Sequence, residues 1–351
     1  MILIMFNIAC STVEGNITAA IAHPHEANDG TVYNIRIAYG RCCKWVLSEI
    51  PPKSDDPSEN PFDDGKPIST ITPYSNLAYM HSFAMTENYF VVVENPLMFS
   101  IAKLLLKNIV GYTVEDALYW DADQLSIFHV IDRSTGNEIG KFKSQPFFCF
   151  HHINAYENED SENIVIDLCG YKDASLVQQL YLHNLRSGNG LSISDVRRYS
   201  LPLHELGEPN KTKILPQKAD GLDFELLFRG LELPQFNYVS YNCKPYRYLY
   251  GNGTSSTGES VFFDQIVKVD LDTKESKIWY EPGKYPSEPV FVEAPEPNGE
   301  DDGVVLSAVI DVKNDTTSLL ILDAKDFKEL AVAVVPVATS YPLHGRFLTS
   351  K

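Results

Sequence analysis

Residues 304–335 read VVLSAVIDVKNDTTSLLILDAKDFKELAVAVV and contain three short apolar runs, at Val304–Ile310, Leu319–Asp323 and Leu330–Val335. The runs are rich in β-branched residues and alternate with polar, turn-forming residues, which is the pattern of short strands separated by turns. This stretch therefore predicts β-strands in succession rather than helices.

The same pattern recurs along the rest of the chain. Further strands are predicted at Tyr89–Val93, Ile164–Leu168 and Ile266–Leu271, with hairpin connectors at Asp132–Asn137 and Asp272–Glu275. Many short strands joined by turns favour an all-β barrel, sandwich or propeller. Because no repeat of about 40 residues is visible, the residues alone leave these three architectures open. A single domain is the default expectation at this length.

Composition and charge narrow the class of protein. The 351 residues include 44% hydrophobic side chains, which is enough for a large core. The formal charge is −18, and no Lys/Arg cluster is dense enough to follow a phosphate backbone, so nucleic acid is not expected as a partner. Acidic segments such as Ser54–Asp64 and Glu296–Asp302 are interpreted as solvated turns.

Cysteines and apolar runs bear on the compartment. The six cysteines form no C-x-x-C pair, which fits a reducing cytosol. The apolar start Met1–Phe6 lacks a basic region and a cleavage site, and no run approaches the ~18 apolar residues of a spanning helix. We expect a cytoplasmic protein without a signal peptide or spanning helix.

One helix is predicted, over Pro96–Ile109, with Asn95 as N-cap and Pro96 at the first helical position. Its apolar residues, Met98 and Leu106 among them, extend around more of the circumference than one core-facing stripe requires. Two interpretations remain open, an ordinary packed helix and an interfacial helix that contacts a membrane surface.

Four of the nine histidines lie in contexts suited to fixing an imidazole, namely His23, His81, His151 and His344. They are too far apart in sequence for a helical metal motif, so a shared metal would need one residue from each of several strands or turns. Taken singly, each is more often a hydrogen-bonded core or surface residue than a ligand. Spacing alone does not decide between these interpretations.

The sequence around the histidines resembles the carotenoid cleavage oxygenase family from about Ala19 to Phe347. The resemblance is carried by six blocks in order, at Ala22–Asn34, His81–Tyr89, Phe150–Glu157, Tyr285–Val292, Glu300–Ser307 and Leu320–Asp326. It implies a seven-bladed β-propeller with one short apolar helix near the mouth of a substrate tunnel. Chance agreement at six ordered blocks is negligible.

Residue by residue, the resemblance implies that His23, His81, His151 and His344 bind Fe(II), and that Glu232 and Glu288 hydrogen-bond the ligating rings from outside. Four neutral imidazoles suit a divalent metal and leave coordination sites open for O2. His25 and His152 do not match ligand positions. His129, His183 and His204 are interpreted as ordinary core or surface residues.

The implied reaction is insertion of O2 across one C=C bond of a carotenoid to give aldehydes such as retinal. Five residues match positions that line the tunnel or flank the ligands, and we expect them to contact the carotenoid or retinoid: Tyr79, Phe83, Phe150, Tyr171 and Leu343. Tyr171, where the family's isomerohydrolase has a Trp, favours the branch that cleaves β-carotene. The helix at residues 96–109 matches the family's membrane-contacting segment, which implies peripheral membrane contact.

The resemblance also implies that the propeller is incomplete. Members have on the order of 500 residues, and the part that precedes the His-Pro-His block has no counterpart here. We assign residues 1–18 to a divergent start and residues 19–351 to the propeller domain, truncated at its N-terminal side. Two alternatives to the dioxygenase remain, a catalytically silent truncated form and a retinyl ester isomerohydrolase.

Overall fold

In the computed structural model most of the regular secondary structure is β-strand. The structure describes residues 11–348 apart from 14–15, 39–43, 53–64, 75–77, 112, 159, 161, 208–210, 218–221 and 256–261. The predicted acidic turn Ser54–Asp64 therefore lies outside the described residues.

The described strands form five sheets of four to six strands and one two-stranded sheet. Sheet 1 contains β1 (Ser11–Val13), β2 (Asn16–Ala20), β3 (His25–Glu26), β4 (Val32–Ala38), β5 (Lys44–Ile50) and β6 (Lys66–Ile71). Sheet 2 contains β7 (Ala84–Met85), β8 (Tyr89–Glu94), β11 (Ser126–Asp132), β12 (Glu138–Ser144) and β16 (Thr212–Ile214). The two-stranded sheet pairs β9 (Leu97–Phe99) with β10 (Leu118–Trp120).

The remaining sheets continue in chain order. Sheet 3 contains β13 (Phe148–Glu157), β14 (Asn163–Tyr171), β15 (Asp195–Pro202) and β17 (Glu225–Arg229). Sheet 4 contains β18 (Glu232–Gln235), β19 (Tyr248–Gly253), β20 (Gln265–Asp270) and β21 (Ser276–Tyr280). Sheet 5 contains β22 (Lys284–Pro286), β23 (Val290–Glu293), β24 (Gly303–Asp311), β25 (Thr316–Asp323) and β26 (Glu329–Val335). Five such sheets among the described residues are two fewer than the seven that the resemblance implies.

The hydrophobic core is divided into layers between successive sheets. One cluster joins sheets 1 and 2, the next joins sheets 2 and 3, and two more join sheets 3 and 4 and sheets 4 and 5. Strand β8 explains why some runs are apolar at every position. Its Phe90 and Val92 pack toward sheet 1, while Val91 and Val93 pack toward sheet 3, because successive side chains of a strand point to opposite faces. Sheets stacked in this way are the blades of a propeller.

Four hairpins share one turn that the sequence does not reveal as a repeat. Each begins at an aspartate that ends a strand, and the aspartate accepts hydrogen bonds from backbone N–H groups two or three residues later: Asp132, Asp270, Asp311 and Asp323. The residue four positions after each aspartate has a positive φ, and it is Gly136, Lys274, Asp315 and Phe327 in turn. Only one of the four is glycine, so the usual signal for this backbone conformation is missing.

The strand predictions at Tyr89, Ile164, Ile266, Val304, Leu319 and Leu330 are confirmed, and so are both hairpin connectors. The helix prediction over Pro96–Ile109 is wrong at its start, because α1 spans Ile101–Val110. Residues Leu97–Phe99 instead pair with Leu118–Trp120, and the Ser100 hydroxyl accepts the Lys103 N–H at 3.4 Å where Asn95 was expected as the cap.

Three shorter helices follow, α2 (Ser175–Gln179), α3 (Leu182–Arg186) and α4 (Tyr238–Tyr241), with 3-10 turns at Glu115–Ala117 and Leu203–Glu205. None of the helices in the described part of the chain is long and apolar enough to cross a bilayer. The proposed boundary between residues 18 and 19 falls inside β2, and the division of the chain at that point stays a prediction.

Candidate metal centre

Four imidazoles meet where strands from different sheets come together. His23 precedes β3, His81 precedes β7, His151 lies on β13, and His344 follows β26. The ring of His23 lies 4.6 Å from that of His81, 4.9 Å from that of His151 and 4.9 Å from that of His344, measured between centroids. Residues distant in sequence therefore surround one point.

Ligand atoms of three of these rings lie within 4.8 Å of one another, those of His23, His81 and His151. The His344 ring lies 5.2 Å from His151, between centroids, and its side chain is 40% exposed. His344 therefore lies on the solvent-exposed side of the four histidines.

Two strand irregularities aim the side chains into the centre. Pairing of β13 with β14 shifts register between Cys149 and His152, so the strand carries an extra residue around His151. Pairing of β18 with β19 shifts between Glu232 and Gln235, and Leu233 has φ +49°. Bulges of this kind re-aim a side chain, and these two bring His151 and Glu232 together.

Buried carboxylates hold two of the rings from outside. His151 Nδ1 lies 2.6 Å from Glu232 Oε2, and His344 Nδ1 lies 3.0 Å from Glu288 Oε1. Glu232 also accepts the Leu233 N–H at 2.5 Å, and Glu288 accepts from the Gly345 N–H and the Gln235 amide, each at 3.0 Å. Because each carboxylate accepts a hydrogen bond from Nδ1–H, the Nε2 atom of either ring is left with its lone pair.

A phenol occupies the corresponding position on the third ring. Tyr79 Oη lies 2.9 Å from His81 Nδ1, so the Nε2 atom of His81 also faces the centre. Burial raises the pKa of the Tyr79 phenol above its ordinary value of 10.0, and it therefore stays protonated. Tyr79 is one of the residues that we expected to contact substrate, and the resemblance did not suggest this contact.

Burial and neighbouring charges act differently on the imidazoles at the centre. Burial, followed by the nearby imidazoles, lowers the pKa of His23 and of His81 well below 6.5. Burial also lowers the pKa of His151, but the Glu232 carboxylate outweighs it and the net change is upward. The contact with Glu232 occupies Nδ1 of His151, so Nε2 is the nitrogen that remains for another partner.

The centre fits a metal ion. His151 Nε2 is buried and has no hydrogen-bond partner among the described residues, which is costly unless something else occupies that lone pair. His23 Nε2 and His81 Nε2 face each other at 2.9 Å. Two nitrogens that are each about 2.1 Å from one ion lie roughly 3 Å apart when they subtend a right angle. An all-imidazole donor set suits iron, copper, nickel or zinc.

His25 and His152, which are half-buried near the centre, contact other groups. His25 contacts Tyr238 Oη through Nδ1 at 3.0 Å and the Phe83 carbonyl through Nε2 at 2.9 Å, so neither nitrogen is directed at the centre. His152 Nδ1 lies 2.7 Å from Ser82 Oγ, and burial lowers its pKa to about 3. Both were interpreted from the sequence as residues that do not bind metal.

His129 is fully buried between two carboxylates. Its Nδ1 lies 2.6 Å from Glu138 Oε1 and its Nε2 lies 3.1 Å from Glu94 Oε2. The three residues lie on β12, β11 and β8, next to one another in sheet 2. His183 and His204 are exposed, as an ordinary surface role requires.

An apolar cluster begins at the metal centre. It contains Tyr79, Phe150 and Tyr171 with Leu97 and Phe148, and the Phe150 ring lies 4.8 Å from the His81 ring. The cluster borders a cavity of about 260 Å³ between the β9–β10 sheet and α2. Leu118, Trp120, Ala174 and Val177 give this cavity apolar walls, and Asp173 and Gln178 add polar groups.

The other two residues that were predicted to contact substrate, Phe83 and Leu343, do not belong to the apolar cluster. Phe83 packs in the core between sheets 1 and 2, with its ring 4.8 Å from the His25 ring. Leu343 is half-buried and adjoins His344. Contact with substrate stays a prediction for all five residues.

Comparisons with known proteins agree on one family. The family model described as retinal pigment epithelial membrane protein matches residues 6–349. The ferret carotenoid-cleaving dioxygenase, mitochondrial, is 36% identical over 95% of this chain and 66% of its own length. The mouse β,β-carotene 15,15'-dioxygenase is 35% identical over 95% of this chain and 62% of its own length. The chain thus spans somewhat less than two thirds of these relatives.

Solved structures support the fold. Cobalt-substituted Synechocystis apocarotenoid oxygenase superimposes with a TM-score of 0.76 at 23% identity, covering 96% of this chain and 66% of the other. A chimera of that oxygenase with the retinal pigment epithelial protein gives a TM-score of 0.74 at 24% identity, covering 95% and 65%. At these identities the likeness concerns the arrangement of sheets.

Proposed function

Because the chain belongs to the retinal pigment epithelial membrane protein family of carotenoid oxygenases, we propose that it binds Fe(II) at the four-histidine centre and cleaves a carotenoid with O2. One C=C bond of the polyene is broken, and each of its carbons gains one oxygen atom of O2, giving two carbonyl products. Both oxygen atoms and all electrons come from the two substrates, so no reductant or organic cofactor is consumed.

The observation that carries the proposal is the convergence of four imidazoles around the unpartnered Nε2 atom of His151. His23, His81, His151 and His344 would hold the ion through neutral nitrogens. The bound iron would supply the redox chemistry needed to activate O2. Glu232 and Glu288 would fix the tautomer and orientation of their rings.

The apolar cluster supports a long hydrocarbon substrate. Phe148, Phe150 and Tyr171 offer aromatic surface rather than acid or base groups beside the centre. Such walls hold a polyene by burial of apolar area and exclude water. The double bond that reacts would be selected by position along this wall, which makes positioning rather than acid–base chemistry the protein's contribution.

Helix α1 supports an approach from a membrane surface. Its exposed apolar residues are Ile101, Leu106, Ile109 and Val110. Tyr119 on the neighbouring strand β10 is exposed as well. The Lys103 ammonium, which bonds the Asp116 carbonyl at 2.9 Å, adds a positive charge beside them. We propose peripheral contact of a cytoplasmic protein with the membrane that supplies the carotenoid.

The test uses the purified chain loaded with Fe(II) without oxygen and then supplied with β-carotene in detergent. The proposal expects one iron per chain, and aldehyde products that carry the label when 18O2 is used. His151→Ala should abolish both. Release of retinol from a retinyl ester without O2 uptake would identify an isomerohydrolase instead.

A chain that binds iron without forming aldehyde would fit the second candidate, a form without catalysis. The exposed strand β26 favours keeping that candidate. All seven of its residues are exposed, including Leu330, Val332 and Val334. Among the described residues, nothing pairs with the outer side of this strand, and such an edge exposes backbone groups and apolar side chains.

A further inference from the structure

One hydroxyl group joins the two chain segments that carry His81 and His151. Ser82 follows His81 directly, and its hydroxyl donates to the Phe150 carbonyl at 2.5 Å. The same oxygen accepts the His152 backbone N–H at 3.1 Å and lies 2.7 Å from His152 Nδ1. Ser82 therefore holds the backbone on both sides of His151.

The hydrogen-bonding capacity of the Ser82 hydroxyl is fully used. A hydroxyl has one hydrogen and two lone pairs, and a carbonyl can only accept. The hydrogen of Ser82 therefore points at Phe150, and His152 donates both its backbone N–H and its Nδ1–H. Because Ser82 is 7% exposed, loss of the hydroxyl would leave three polar groups without this partner in a buried place.

The strand that carries His151 needs support from outside its own sheet. Among the described strands, β13 lies at the edge of sheet 3, and its pairing with β14 is interrupted between Cys149 and His152. The interruption aims the His151 ring at the centre and weakens the ladder that would otherwise hold the backbone. The bonds from Ser82, just before sheet 2 begins at β7, lie at this interruption.

We propose that Ser82 is a positioning residue for the metal centre, whose hydroxyl fixes the separation of the His81 and His151 rings before an ion binds. The inference rests on the proposed metal site and deepens it. The two rings lie 5.1 Å apart, between centroids, although 70 positions separate them in the sequence. Ligands that are already held at their separation lose less conformational freedom when the ion binds, which strengthens binding.

The experiment titrates the metal-free full chain with Co(II) and follows visible absorption, which reports both affinity and ligand geometry. Ser82→Ala should raise the Co(II) dissociation constant roughly 10-fold, the lower end of the range for groups that orient ligands, because the hydroxyl acts through the backbone. The absorption band should change as well, because the two rings no longer keep their separation. An unchanged constant and band would overturn the inference.

The matched control is Ser126→Ala. Ser126 is fully buried on β11, donates to the Phe147 carbonyl at 3.2 Å and accepts the Phe147 N–H at 3.1 Å. It therefore bonds the same stretch of chain four residues before His151, but it does not follow a ligand. Both alanine variants should unfold at a lower urea concentration, whereas only Ser82→Ala should change Co(II) binding. An equal loss of Co(II) affinity in both would indicate a general packing effect and refute the role of Ser82.

A double-mutant cycle tests whether Ser82 acts through the pair of rings. In the His81→Ala background no separation between His81 and His151 is left to fix, so Ser82→Ala should have no further effect on the Co(II) dissociation constant. The same loss in both backgrounds would contradict the proposal.

Hydrogen exchange tests the inference without a substitution, and it applies even if Ser82→Ala does not fold. Because coupling between two equilibria is reciprocal, an ion that binds the held geometry also stabilises the Ser82 bonds. Co(II) should therefore slow exchange of the His152 amide by a larger factor than exchange of the Phe147 amide. Equal factors would refute the coupling.

Failure of the proposed function gives a different result. A wild-type chain that binds no Co(II) refutes the metal site and the role of Ser82 together. A chain that binds Co(II) and, loaded with iron, forms no aldehyde refutes the dioxygenase and leaves the role of Ser82 in place. If Ser82→Ala binds Co(II) as tightly as wild type and with the same band, only the role of Ser82 is refuted.

Discussion

Replacement of Glu232 by glutamine tests the link between the outer carboxylate and the metal centre. Glu232 is 3% exposed, and its Oε2 atom lies 2.6 Å from His151 Nδ1. Glutamine keeps the shape of the side chain and removes its charge. We expect metal affinity to fall about 10–100-fold, which corresponds to roughly 1.4–2.8 kcal/mol.

The metal-free chain should respond differently. A buried carboxylate is costly to desolvate, so its neutralisation offsets part of the hydrogen-bond energy that is lost. We therefore expect the free energy of unfolding of the metal-free chain to change by less than about 1 kcal/mol. Co(II) titration gives the first quantity and urea unfolding in the presence of a chelator gives the second.

A second carboxylate–histidine pair supplies the control. Glu138 Oε1 lies 2.6 Å from His129 Nδ1, the same distance as in the Glu232 pair, but His129 has Glu94 on its other nitrogen. Glu138→Gln should leave Co(II) affinity at the wild-type value. Equal affinities for Glu232→Gln and wild type would refute the reasoning, as would an equal loss for Glu138→Gln.

Other predictions concern separate parts of the molecule. His151→Ala should abolish stoichiometric iron binding, and full iron occupancy measured by elemental analysis would contradict the ligand assignment. The carboxylates around His129 outweigh burial and raise its pKa above 6.5. The stability that His129 contributes is therefore complete below pH 6.5 and is lost as the pH rises through the folded-state pKa. Urea unfolding at a series of pH values should show this loss in wild type and not in His129→Gln. Ile109→Glu should reduce sedimentation with phospholipid vesicles, whereas Lys313→Glu, on an exposed turn, should not. The free energy of unfolding of Lys274→Gly should exceed that of Lys274→Ala by about 0.5 kcal/mol. Glycine relieves the backbone strain of a φ of +63°, and the greater entropy of its unfolded chain offsets part of this gain. An equal or lower stability for the glycine variant would argue against strain at this turn.

The strands could be predicted from the sequence because most of them are short runs of β-branched residues. Strand β8 is apolar at nearly every position, and this follows from its burial between two core layers. The number of sheets could not be predicted in the same way. The repeated turn carries Lys274, Asp315 and Phe327 where a glycine signal was to be expected, so the repeat is structural and leaves little trace in the residues.

The start of α1 was predicted wrongly for a local reason. Asn95 and Pro96 form a good helix-initiation signal, but Leu97–Phe99 gain more by pairing with Leu118–Trp120. Pairing across eighteen intervening residues is a tertiary effect, and it outweighs local propensity. In the acidic segment Glu296–Asp302, which was interpreted as solvated turns, residues 296–299 are exposed, whereas Asp301 is half-buried and bonds the buried Lys268 ammonium at 2.6 Å.

The metal centre illustrates the limit of spacing. His23, His81, His151 and His344 could be grouped through the resemblance and not through their intervals. The contact of Tyr79 with His81 was not foreseen, although the two residues are separated by one position. An aromatic residue beside a ligand indicates apolar packing, and nothing in the sequence tells which way its hydroxyl points.

The wide separation of His23 and His344 along the chain affects the order of events during synthesis. A ribosome that has translated the chain as far as Leu343 has produced three of the four rings, and the fourth must then dock beside His23, 321 residues away in sequence. Contacts over such separations form late in folding. Insertion of the ion would therefore be a post-translational event, and the newly made protein must survive its metal-free interval on the packing of its sheets alone.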